Sequence, residues 1–382
     1  MSEEKLVPKL RFSDEHWDSK KLGKLCKITM GQSPSSSNYT ENEFDTVLIQ
    51  GNADLINGKV VPRIYTTEVT KTAKPGDIIL TVRAPVGDLA INDYNSCIGR
   101  GVCSIEGNKF IYYFLQTLKD KHLWERLSQG STFESINSND IKNLNVKIPS
   151  EKTQESISHF LTLIDSKIQL LEKKHKDYQD FKKYLMQQIF AQKLRFDFKE
   201  YALKDVCEKI GNGFSGTQVN YETKFPVTRI ETISSGIINY NKVGFVDEIP
   251  EKYLLNEGDI LLTNINSMKW IGNSVYYDGK RKLYHGMNLM LLRTKKEFNS
   301  KYLYYYITYH NNWFKKMACQ AVNQASINKT TLEKFKIKFP NIDEQNNISN
   351  VLSSADLKIE RLKNEIDLIK NFKKGLLQQI FV

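Results

Sequence analysis

The stretch GNGFSG at 211–216 is the part of this chain that most closely matches a cofactor motif, because it spells Gly-x-Gly-x-x-Gly. In dinucleotide-binding proteins this spacing lets the backbone approach a pyrophosphate between a strand and the start of a helix. Here the residues that follow, at 217–230, show no helical pattern, and the first half of the chain has MGQSPSSS at 30–37 instead. The sequence therefore predicts no nucleotide cofactor at this stretch.

Other catalytic and metal-binding patterns are absent from the sequence. No Cys-x-x-Cys pair occurs, the six histidines do not cluster, and neither a GxxxxGK[ST] loop nor an HExxH motif is present. The motifs of adenine methyltransferases (Asn-Pro-Pro-aromatic, Asp-Pro-Pro-Tyr) and the Pro-Asp dipeptide of restriction nucleases are missing as well. We therefore predict no catalytic residue, no metal site and no disulfide framework, and expect the scattered cysteines to be free, mostly buried thiols: Cys26, Cys97, Cys103, Cys207 and Cys319.

The polar loops of the chain favour a different function, the recognition of nucleic acid. Arg, Lys, Gln, Asn and Ser side chains hydrogen-bond base edges and phosphates, although such residues are also ordinary in turns. The residues that we predict to contact DNA lie in loops that differ between the two halves of the chain: Gln32, Ser33, Ser35, Arg63, Arg83, Arg100, Gln129, Ser131, Gln218, Arg229, Asn264, Asn266, Lys269, Gln320, Asn323 and Gln324.

The charge balance agrees with a polyanionic partner without requiring one. The chain carries 55 Lys and Arg against 44 Asp and Glu, a net charge of +11 with a pI near 9.1. Such a field favours DNA, RNA or anionic lipid. A basic protein without any polyanion partner is the alternative that charge alone leaves open.

Length and hydropathy indicate an ordinary globular protein. At 382 residues the chain predicts two or three domains. No apolar run approaches the roughly 20 residues that a membrane span needs, and the N-terminus, MSEEKLVPKLRF, has no apolar signal region. We therefore expect a cytoplasmic protein with no membrane partner.

The chain contains two copies of one unit. FKKYLMQQIF at 181–190 recurs as FKKGLLQQIF at 372–381, and GDIILT at 76–81 recurs as GDILLT at 258–263. A period this long indicates a duplicated domain and not a solenoid. The copies diverge in their early loops and agree at their ends, which predicts two different readers on one shared frame. The predicted segments are two recognition domains at 1–150 and 193–340 and two long helices at 151–192 and 341–382.

The end of each copy predicts a long helix with a coiled-coil seam. Apolar residues recur at alternating steps of three and four over four heptads, which favours pairing of the two helices over separate packing of each on its own domain. Lys182 and Lys373 interrupt both seams at the same level, where they either snorkel or pair with acids. The predicted seam is Leu161, Ile164, Ile168, Leu171, Tyr178, Leu185, Ile189, Leu352, Ala355, Ile359, Leu362, Ile366, Ile369, Leu376 and Ile380.

The order of domains and helices predicts antiparallel pairing. Such pairing gives a pseudo-twofold arrangement with one globular domain at each end. Residues 161–189 would span about 43 Å as a helix, and DNA half-sites one turn apart lie about 34–36 Å apart. The pair of helices would then hold two readers on successive major grooves of one duplex.

The globular domains read as α+β. Short strands are predicted within 46–50, 60–65, 77–83, 101–105, 259–265 and 288–293, and helices over 108–127 and 300–317. The helices carry matching aromatic residues, Tyr112–Phe114 and Tyr304–Tyr306. Base stacking is one role for these rings, but their helical spacing favours core packing.

The chain resembles the specificity subunits of type I restriction–modification systems over nearly its full length. The similarity is carried by KLGKLCKITMGQSPS, ILTVRAPVGDLAI, GRGVCSI, SINSNDIKNLNVKIPSEKTQESISHFLTLIDSKIQLLEKK and the second-copy partners that end in KKGLLQQIFV. The resemblance implies two target-recognition domains, each followed by a long helix, with the helices in an antiparallel coiled coil. It also implies sequence-specific binding to a bipartite DNA site, with one half-site for each domain and an unread spacer between.

The partners and cofactors follow from the resemblance alone. It implies two methyltransferase subunits that methylate adenine N6 with S-adenosylmethionine, and restriction subunits that use ATP and Mg²⁺. The flipped adenine would lie in the methyltransferase subunit. The chain itself would then be a non-catalytic subunit that binds no cofactor. Two alternatives stay open at this point, a self-contained nucleic-acid-modifying enzyme and a coiled-coil scaffold that does not bind DNA.

Overall fold

The computed structural model describes residues 12, 15–120, 123–128, 135–191, 193, 197–233, 236–321 and 324–381. The chain forms two compact units. The first unit comprises Met1–Glu172 together with Asn364–Val382, and the second unit comprises Lys173–Lys363. Each unit therefore contains the start of one long helix and the end of the other.

The first unit is built on two sheets of short strands. The six-stranded sheet has the order Lys27–Met30, Val102–Glu106, Ile78–Thr81, Leu89–Ile91, Lys59–Val60 and Leu55–Ile56. The five-stranded sheet has the order Tyr39–Thr40, Tyr65–Thr66, Thr46–Ile49, Ser96–Ile98 and Thr72–Ala73. A separate antiparallel pair joins Asp18–Lys21 to Asn145–Ile148. The shorter helices, 3-10 turns included, are Leu22–Leu25, Ser36–Asn38, Asn52–Asp54, Lys109–Asp120, Leu123–Ser128 and Ser138–Lys142.

The second unit repeats this plan with fewer strands. Its four-stranded sheet has the order Cys207–Asn212, Leu289–Thr294, Ile260–Thr263 and Ser274–Tyr276. Smaller sheets join Lys199–Ala202 to Lys336–Phe339, Pro226–Val227 to Gly244–Phe245, and Ile265–Asn266 to Gln324–Ser326 and Cys319–Ala321. The shorter helices and 3-10 turns are Leu203–Val206, Ile230–Ile233, Tyr240–Lys242, Glu251–Tyr253, Ser300–Tyr309, Asn311–Met317 and Lys329–Glu333.

The α+β class is confirmed, and three of the predicted elements are wrong in extent. The strand predicted over 259–265 is two strands of different sheets, Ile260–Thr263 and Ile265–Asn266. The strand predicted at 60–65 is instead two short strands, Lys59–Val60 and Tyr65–Thr66. Pro62 lies between them and has no N–H to donate to a strand ladder. The helix predicted over 300–317 is interrupted at His310, whose N–H donates to the carbonyl oxygens of Tyr306 and Thr308. The break lets Trp313 and Phe314 pack on Phe335 at ring distances of 4.6 and 4.9 Å.

The two long helices are Glu151–Phe190 and Ile342–Ile380, and every predicted seam residue on them is buried or half-buried. In the first unit the start of the first helix packs against the end of the second, so that Leu161 shares a core with Leu377 and Ile380. In the second unit the end of the first helix packs against the start of the second, so that Ile189 shares a core with Ile348 and Leu352. The antiparallel pairing predicted from the heptads is therefore present within each unit.

The repeated sequence QQIF, at 187–190 and 378–381, places the end of each long helix in a domain core. Phe381 packs against Phe110 and Phe114 in the first unit, with ring centroids 5.1 and 6.2 Å apart. Phe190 makes the same contacts in the second unit, against Tyr302 at 5.6 Å and Tyr306 at 5.5 Å. The pairing and the docking onto a domain, which the sequence left as alternatives, occur together.

The aromatic residues of the two domain helices belong to the cores. Tyr112, Tyr113 and Phe114 are buried, as are Tyr305 and Tyr306, while Tyr304 is half-buried. The prediction of core packing is confirmed. The buried rings are enclosed by protein and do not offer a face to a base.

Lys373 and Lys182, the charged residues of the seam, pair with acids across it. In the first unit the Nζ of Lys373 lies 2.6 Å from Asp165 and 5.1 Å from the ring centroid of Tyr113. The hydroxyl of Tyr113 donates to the same carboxylate at 2.9 Å. Burial, together with the neighbouring Asp165, raises the pKa of Tyr113, so the phenol keeps its proton at neutral pH.

The second unit contains an equivalent cluster. Lys182 lies 2.6 Å from Asp356 and 5.1 Å from the ring of Tyr305, whose hydroxyl donates to Asp356 at 2.7 Å. Each of the two Lys–Asp–Tyr clusters joins both long helices to a domain helix. A shifted register would leave a lysine and a carboxylate without partners in a mostly apolar seam, so these clusters specify antiparallel pairing in this register.

Replacing Asp165 with alanine should destabilise the first unit by about 2–4 kcal/mol, because it leaves Lys373 and Tyr113 mostly buried without their shared acceptor. Urea unfolding of the full chain, with hydrogen exchange to locate the loss, measures the effect. Glu365→Ala is the matched control. Glu365 and Lys167 are exposed and 3.9 Å apart, so its cost should stay within about 0.5 kcal/mol. Equal costs for the two variants would show that the buried cluster does not fix the pairing.

His285 is a buried histidine in the second unit. Its Nε2 lies 2.9 Å from the carbonyl oxygen of Leu289. Burial lowers its pKa to about 4, and the Lys209 and Arg293 charges act in the same direction, whereas the bond to Leu289 and the Asp259 charge oppose it. The neutral ring therefore donates through Nε2–H in the folded chain.

Acid should destabilise the second unit through His285. A folded-state pKa below the unfolded value means that the stabilisation is complete above about pH 6.5 and is lost as the pH falls towards 4. At pH 5 the loss relative to pH 7 should be about 2 kcal/mol. Urea unfolding of the wild type and of His285→Gln at both pH values measures it. The Gln variant should lose less stability between pH 7 and pH 5, and an identical loss would contradict the assignment.

Candidate nucleic-acid interface

Three chain segments meet at a tight connection between the two sheets of the first unit, which we call the tip. The tip Gly99–Gly101 connects a strand of the five-stranded sheet to a strand of the six-stranded sheet. The N–H of Gly99 donates to the carbonyl oxygen of Ile49 at 2.7 Å, and the N–H of Gln32 donates to that of Ile98 at 2.8 Å. We call residues 31–33, 49–51 and 99–101 the first crossing.

Glycines allow the backbones of the first crossing to touch. A Cβ on Gly31 would lie 2.1 Å from the carbonyl oxygen of Gly99, and a Cβ on Gly101 would lie 2.0 Å from that of Gln50. No side chain fits at either place. Arg100 is therefore the side chain that the tip carries, and it is exposed.

The polar groups around Arg100 are fixed by hydrogen bonds to the backbone. The Arg100 N–H donates to the Oγ of Ser33 at 3.1 Å. The Oδ2 of Asp54 accepts the N–H groups of Gln50 at 2.8 Å and Gly51 at 3.2 Å. The Nε2 of Gln50 is buried and has no hydrogen-bond partner among the described residues. The crossing thus combines an exposed guanidinium with a half-buried amide on a fixed backbone.

The second unit contains the same arrangement, which we call the second crossing: residues 213–215, 228–229 and 286–288. The N–H of Phe214 donates to the carbonyl oxygen of His285 at 2.9 Å, and the N–H of Gly286 donates to the Oγ1 of Thr228 at 2.8 Å. Cβ atoms on Gly213 and Gly286 would lie 1.9 and 2.0 Å from carbonyl oxygens of Gly286 and Thr228. The same close backbone approach therefore occurs in both units.

The side chains at equivalent places in the two crossings differ in chemistry. Counted along the matching strands, Gln50 corresponds to Arg229, and Arg100 corresponds to Met287. Arg229 is exposed, and Met287 is 40% exposed. A Cβ on Gly244 would lie 2.4 Å from the Oε1 of Gln218 and 3.1 Å from the Cδ of Arg229, so these two side chains lie against one glycine.

Most of the predicted DNA contacts in the first unit converge on its crossing. Gln32, Ser33 and Arg100 belong to it, Arg63 lies 3.9 Å from Asp54, and Arg83 follows Val82, whose N–H donates to the carbonyl oxygen of Gly101. Ser35 lies further along its loop, where its N–H donates to Glu68 at 3.0 Å. Gln129 and Ser131 lie outside the described residues.

The predicted contacts of the second unit fall in two places. Gln218 and Arg229 lie at the second crossing, whereas Asn266 and Lys269 lie on the segment after Thr263, with Lys269 4.7 Å from the ring of Trp270. The backbones of Gln320 and Gln324 lie in paired strands, with side chains outside the described part, and Asn323 lies outside it altogether.

Asn264 differs from the other predicted contacts in being buried. Its side chain is 4% exposed, and its backbone carbonyl oxygen accepts from the N–H of Ile327, just as that of Val82 accepts from the N–H of Ile136. Asn264 thus occupies the place of Val82 in the first unit and points into the core. Its burial argues against a direct contact with DNA.

Gln50 and Met287 were missed by the sequence reasoning. Each has a signal that a comparison of the copies could have used. Gln50 is a polar residue directly between a buried strand and a glycine, and Met287 follows Gly286 as Arg100 follows Gly99. Composition alone drew attention to arginines and to Gln/Asn-rich loops and passed over both.

The described residues also bear on catalytic chemistry. No helix begins within 214–225, after the glycines of GNGFSG, so the dinucleotide motif lacks its helix. Burial raises the pKa of Cys26 to about 11 and those of Cys103 and Cys207 to about 12, so these thiols are protonated at neutral pH. Within the described ranges no three His, Cys, Asp or Glu side chains are grouped so as to hold a metal ion, and none of the described helices is long and apolar enough to cross a bilayer.

Comparison with solved structures finds the same fold. The S subunit of a type I restriction–modification system from M. genitalium superposes with a TM-score of 0.68 over 99% of both chains at 18% identity. A structure reported for complex assembly and conformational transition of the type I R-M system superposes with a TM-score of 0.59, over 96% of this chain and 97% of the other, also at 18% identity.

Comparison by sequence finds relatives of the same kind. The "Putative type I restriction enzyme MjaX specificity subunit" of Methanocaldococcus jannaschii is 40% identical over 193 residues, 48% of this chain and 45% of the relative. The matches cover less than half the length of the curated relatives. The family model described as "Type I restriction modification DNA specificity domain" matches residues 14–177 and again residues 196–371. Matched in both of its halves, the chain belongs to the family of type I restriction modification DNA specificity domains.

Proposed function

We propose that the chain is the DNA-reading specificity subunit of a type I restriction–modification complex and reads a bipartite site, one half-site with each unit. The observation that carries this proposal is the duplication of the crossing. Both units keep the close approach of Gly31 or Gly213 to a glycine carbonyl oxygen and the bond from the next N–H to Ile98 or His285. The side chains beside this contact differ, with Arg229 in the place of Gln50 and Met287 in the place of Arg100. Two readers of one design with different chemistry suit a site with two different halves.

The net charge of +11 supports a nucleic-acid partner. Lys and Arg side chains that neutralise phosphates supply the sequence-independent part of such binding, while contacts to base edges supply the specificity. Arg63, Arg83, Arg100, Arg229 and Lys269 are all exposed. The four arginines lie at a crossing or next to one, and Lys269 lies on the segment after Thr263.

The catalytic steps belong to other subunits in this proposal. We assign adenine-N6 methylation with S-adenosylmethionine to two methyltransferase subunits, and ATP- and Mg²⁺-dependent translocation and cleavage to restriction subunits. This chain would then be non-catalytic, with the flipped adenine held by the methyltransferase. Among the described residues, no three His, Cys, Asp or Glu side chains are grouped so as to hold a metal ion.

The complex of this chain with its methyltransferase subunits should select one bipartite sequence from a random duplex library. Its affinity for that sequence should fall about a thousandfold between 50 and 200 mM salt, because about six or more phosphate contacts release counterions. The methyltransferase subunit alone is the control and should show no selection. Equal binding to all duplexes would contradict the proposal, and a shallow salt dependence would favour a scaffold that does not bind DNA. Crosslinking of S-adenosylmethionine to this chain alone would favour a self-contained enzyme.

Inserting one heptad into each long helix, after Glu172 and after Lys363, should lengthen the preferred spacer. Both Lys–Asp–Tyr clusters stay intact, because each lies to one side of the insertions. Seven helical residues add about 10.5 Å, which corresponds to about 3 base pairs at 3.4 Å each. Selection from the same library measures the spacer. An insertion in one helix alone is the control and should destabilise the pairing, and an unchanged spacer in the double insertion would contradict the idea that the helices measure distance.

A further inference from the structure

We propose that the side chains presented at the two crossings determine which bases each unit reads. Gln50 and Arg100 would do so in the first unit, and Arg229 and Met287 in the second. This inference rests on the proposed function and deepens it, because membership of the family does not say which residues of a chain read its bases.

The first reason is the rigidity with which these side chains are held. Discrimination between bases needs donors and acceptors placed to within a fraction of an ångström. Arg100 stands between Gly99 and Gly101, with its own N–H bonded to Ser33, while the backbone of Gln50 is fixed by Asp54. The backbone of both residues therefore has little freedom, while the Arg100 side chain is exposed and that of Gln50 is half-buried.

The second reason is that the residues forming the backbone contact are the same in both units, whereas the side chains next to them differ. Ser33 and Ser215, Gly31 and Gly213, and Gly99 and Gly286 are identical pairs at equivalent places, and they build the backbone contact. The side chains beside these residues differ between the units. If the crossing served only the fold, both the glycine frame and the neighbouring side chains should be the same in the two units. Two readers of different half-sites must instead differ in the side chains that contact the bases.

The third reason is the free hydrogen-bonding capacity at both crossings. The Nε2 of Gln50 is buried and has no partner among the described residues. A buried donor without an acceptor costs about 1–3 kcal/mol, so turning the amide outward to a base would relieve that cost. The guanidinium of Arg229 has a loose contact with Glu231 at 3.7 Å, in which both side chains are about half exposed. A pair of this kind contributes little and does not hold the guanidinium away from a base.

The chemistry of each side chain indicates the base that it would read in the major groove. A guanidinium fits the O6 and N7 of guanine with two parallel bonds, and a glutamine amide fits the N6 and N7 of adenine. An apolar side chain contacts the methyl group of thymine. The first crossing therefore fits a half-site that includes adenine for Gln50 and guanine for Arg100. The second fits guanine for Arg229 and thymine for Met287.

The test is Gln50→Arg in the full chain, in complex with its methyltransferase subunits and probed with the random duplex library. The added cation supports binding, so a change in preference is measurable. One position in one half-site should change from adenine to guanine, with a preference of about tenfold or more, and the other half-site should stay as in the wild type. Arg229→Gln should produce the opposite change, in the other half-site.

Gln169→Arg is the matched control. Gln169 is exposed on the first long helix and is not part of the crossing, and the substitution adds the same charge. It should raise affinity slightly and leave every base preference unchanged. If Gln50→Arg fails to fold, as judged by its unfolding midpoint, the exposed Arg100→Gln is the second variant, and one position should then change from guanine to adenine.

The outcomes separate this inference from the function on which it rests. A wild-type complex that selects no sequence would overturn the proposed function. A wild-type complex that selects a bipartite sequence, while folded Gln50→Arg, Arg229→Gln and Arg100→Gln all select that same sequence, would overturn the inference and leave the function standing.

Discussion

The ion pair between Asp165 and Lys373, which recurs between Asp356 and Lys182, is the contact on which the remaining structure depends. A lysine inside an apolar seam is tolerated only where a carboxylate meets it, and here each carboxylate also accepts from a tyrosine of the domain helix. One ion pair therefore fixes the relative positions of three elements, the two long helices and the domain helix. Because the helices are held in this register, Phe381 and Phe190 reach the aromatic residues of the two domain cores.

The same fixed geometry separates what holds the domains from what varies between them. Apolar burial and the Lys–Asp–Tyr clusters are alike in both units, and so is the contact of glycine backbones at the crossings. Side chains that project beyond the glycines contribute little to stability, so they can differ without cost to the fold. This division lets one backbone plan serve two surfaces of different chemistry.

Local periodicity predicted the two long helices well. It could not predict which residues pair across them. The heptads located Glu151–Phe190 and Ile342–Ile380, and the levels of Lys182 and Lys373 were recognised as equivalent. Their partners, Asp165 and Asp356, are ordinary polar residues until the register of two distant helices is known. Asn264 shows the same limit in a loop, since only the strand register reveals that it takes the place of Val82. Gln50 was overlooked because its place beside Gly99 and Gly101 follows only from the pairing of two separate segments.

The composition of the first unit has a consequence for how the chain is made. The second unit is one continuous segment, Lys173–Lys363, and can complete its core as soon as that segment has left the ribosome. The first unit contains the N-terminal residues and also Leu376, Ile380 and Phe381. Although most of it is synthesised before the second unit, its core closes last, after the segment that ends with Phe381 has emerged. A premature stop shortly before Leu376 would therefore damage the N-terminal unit and spare the core of the unit nearer to the stop.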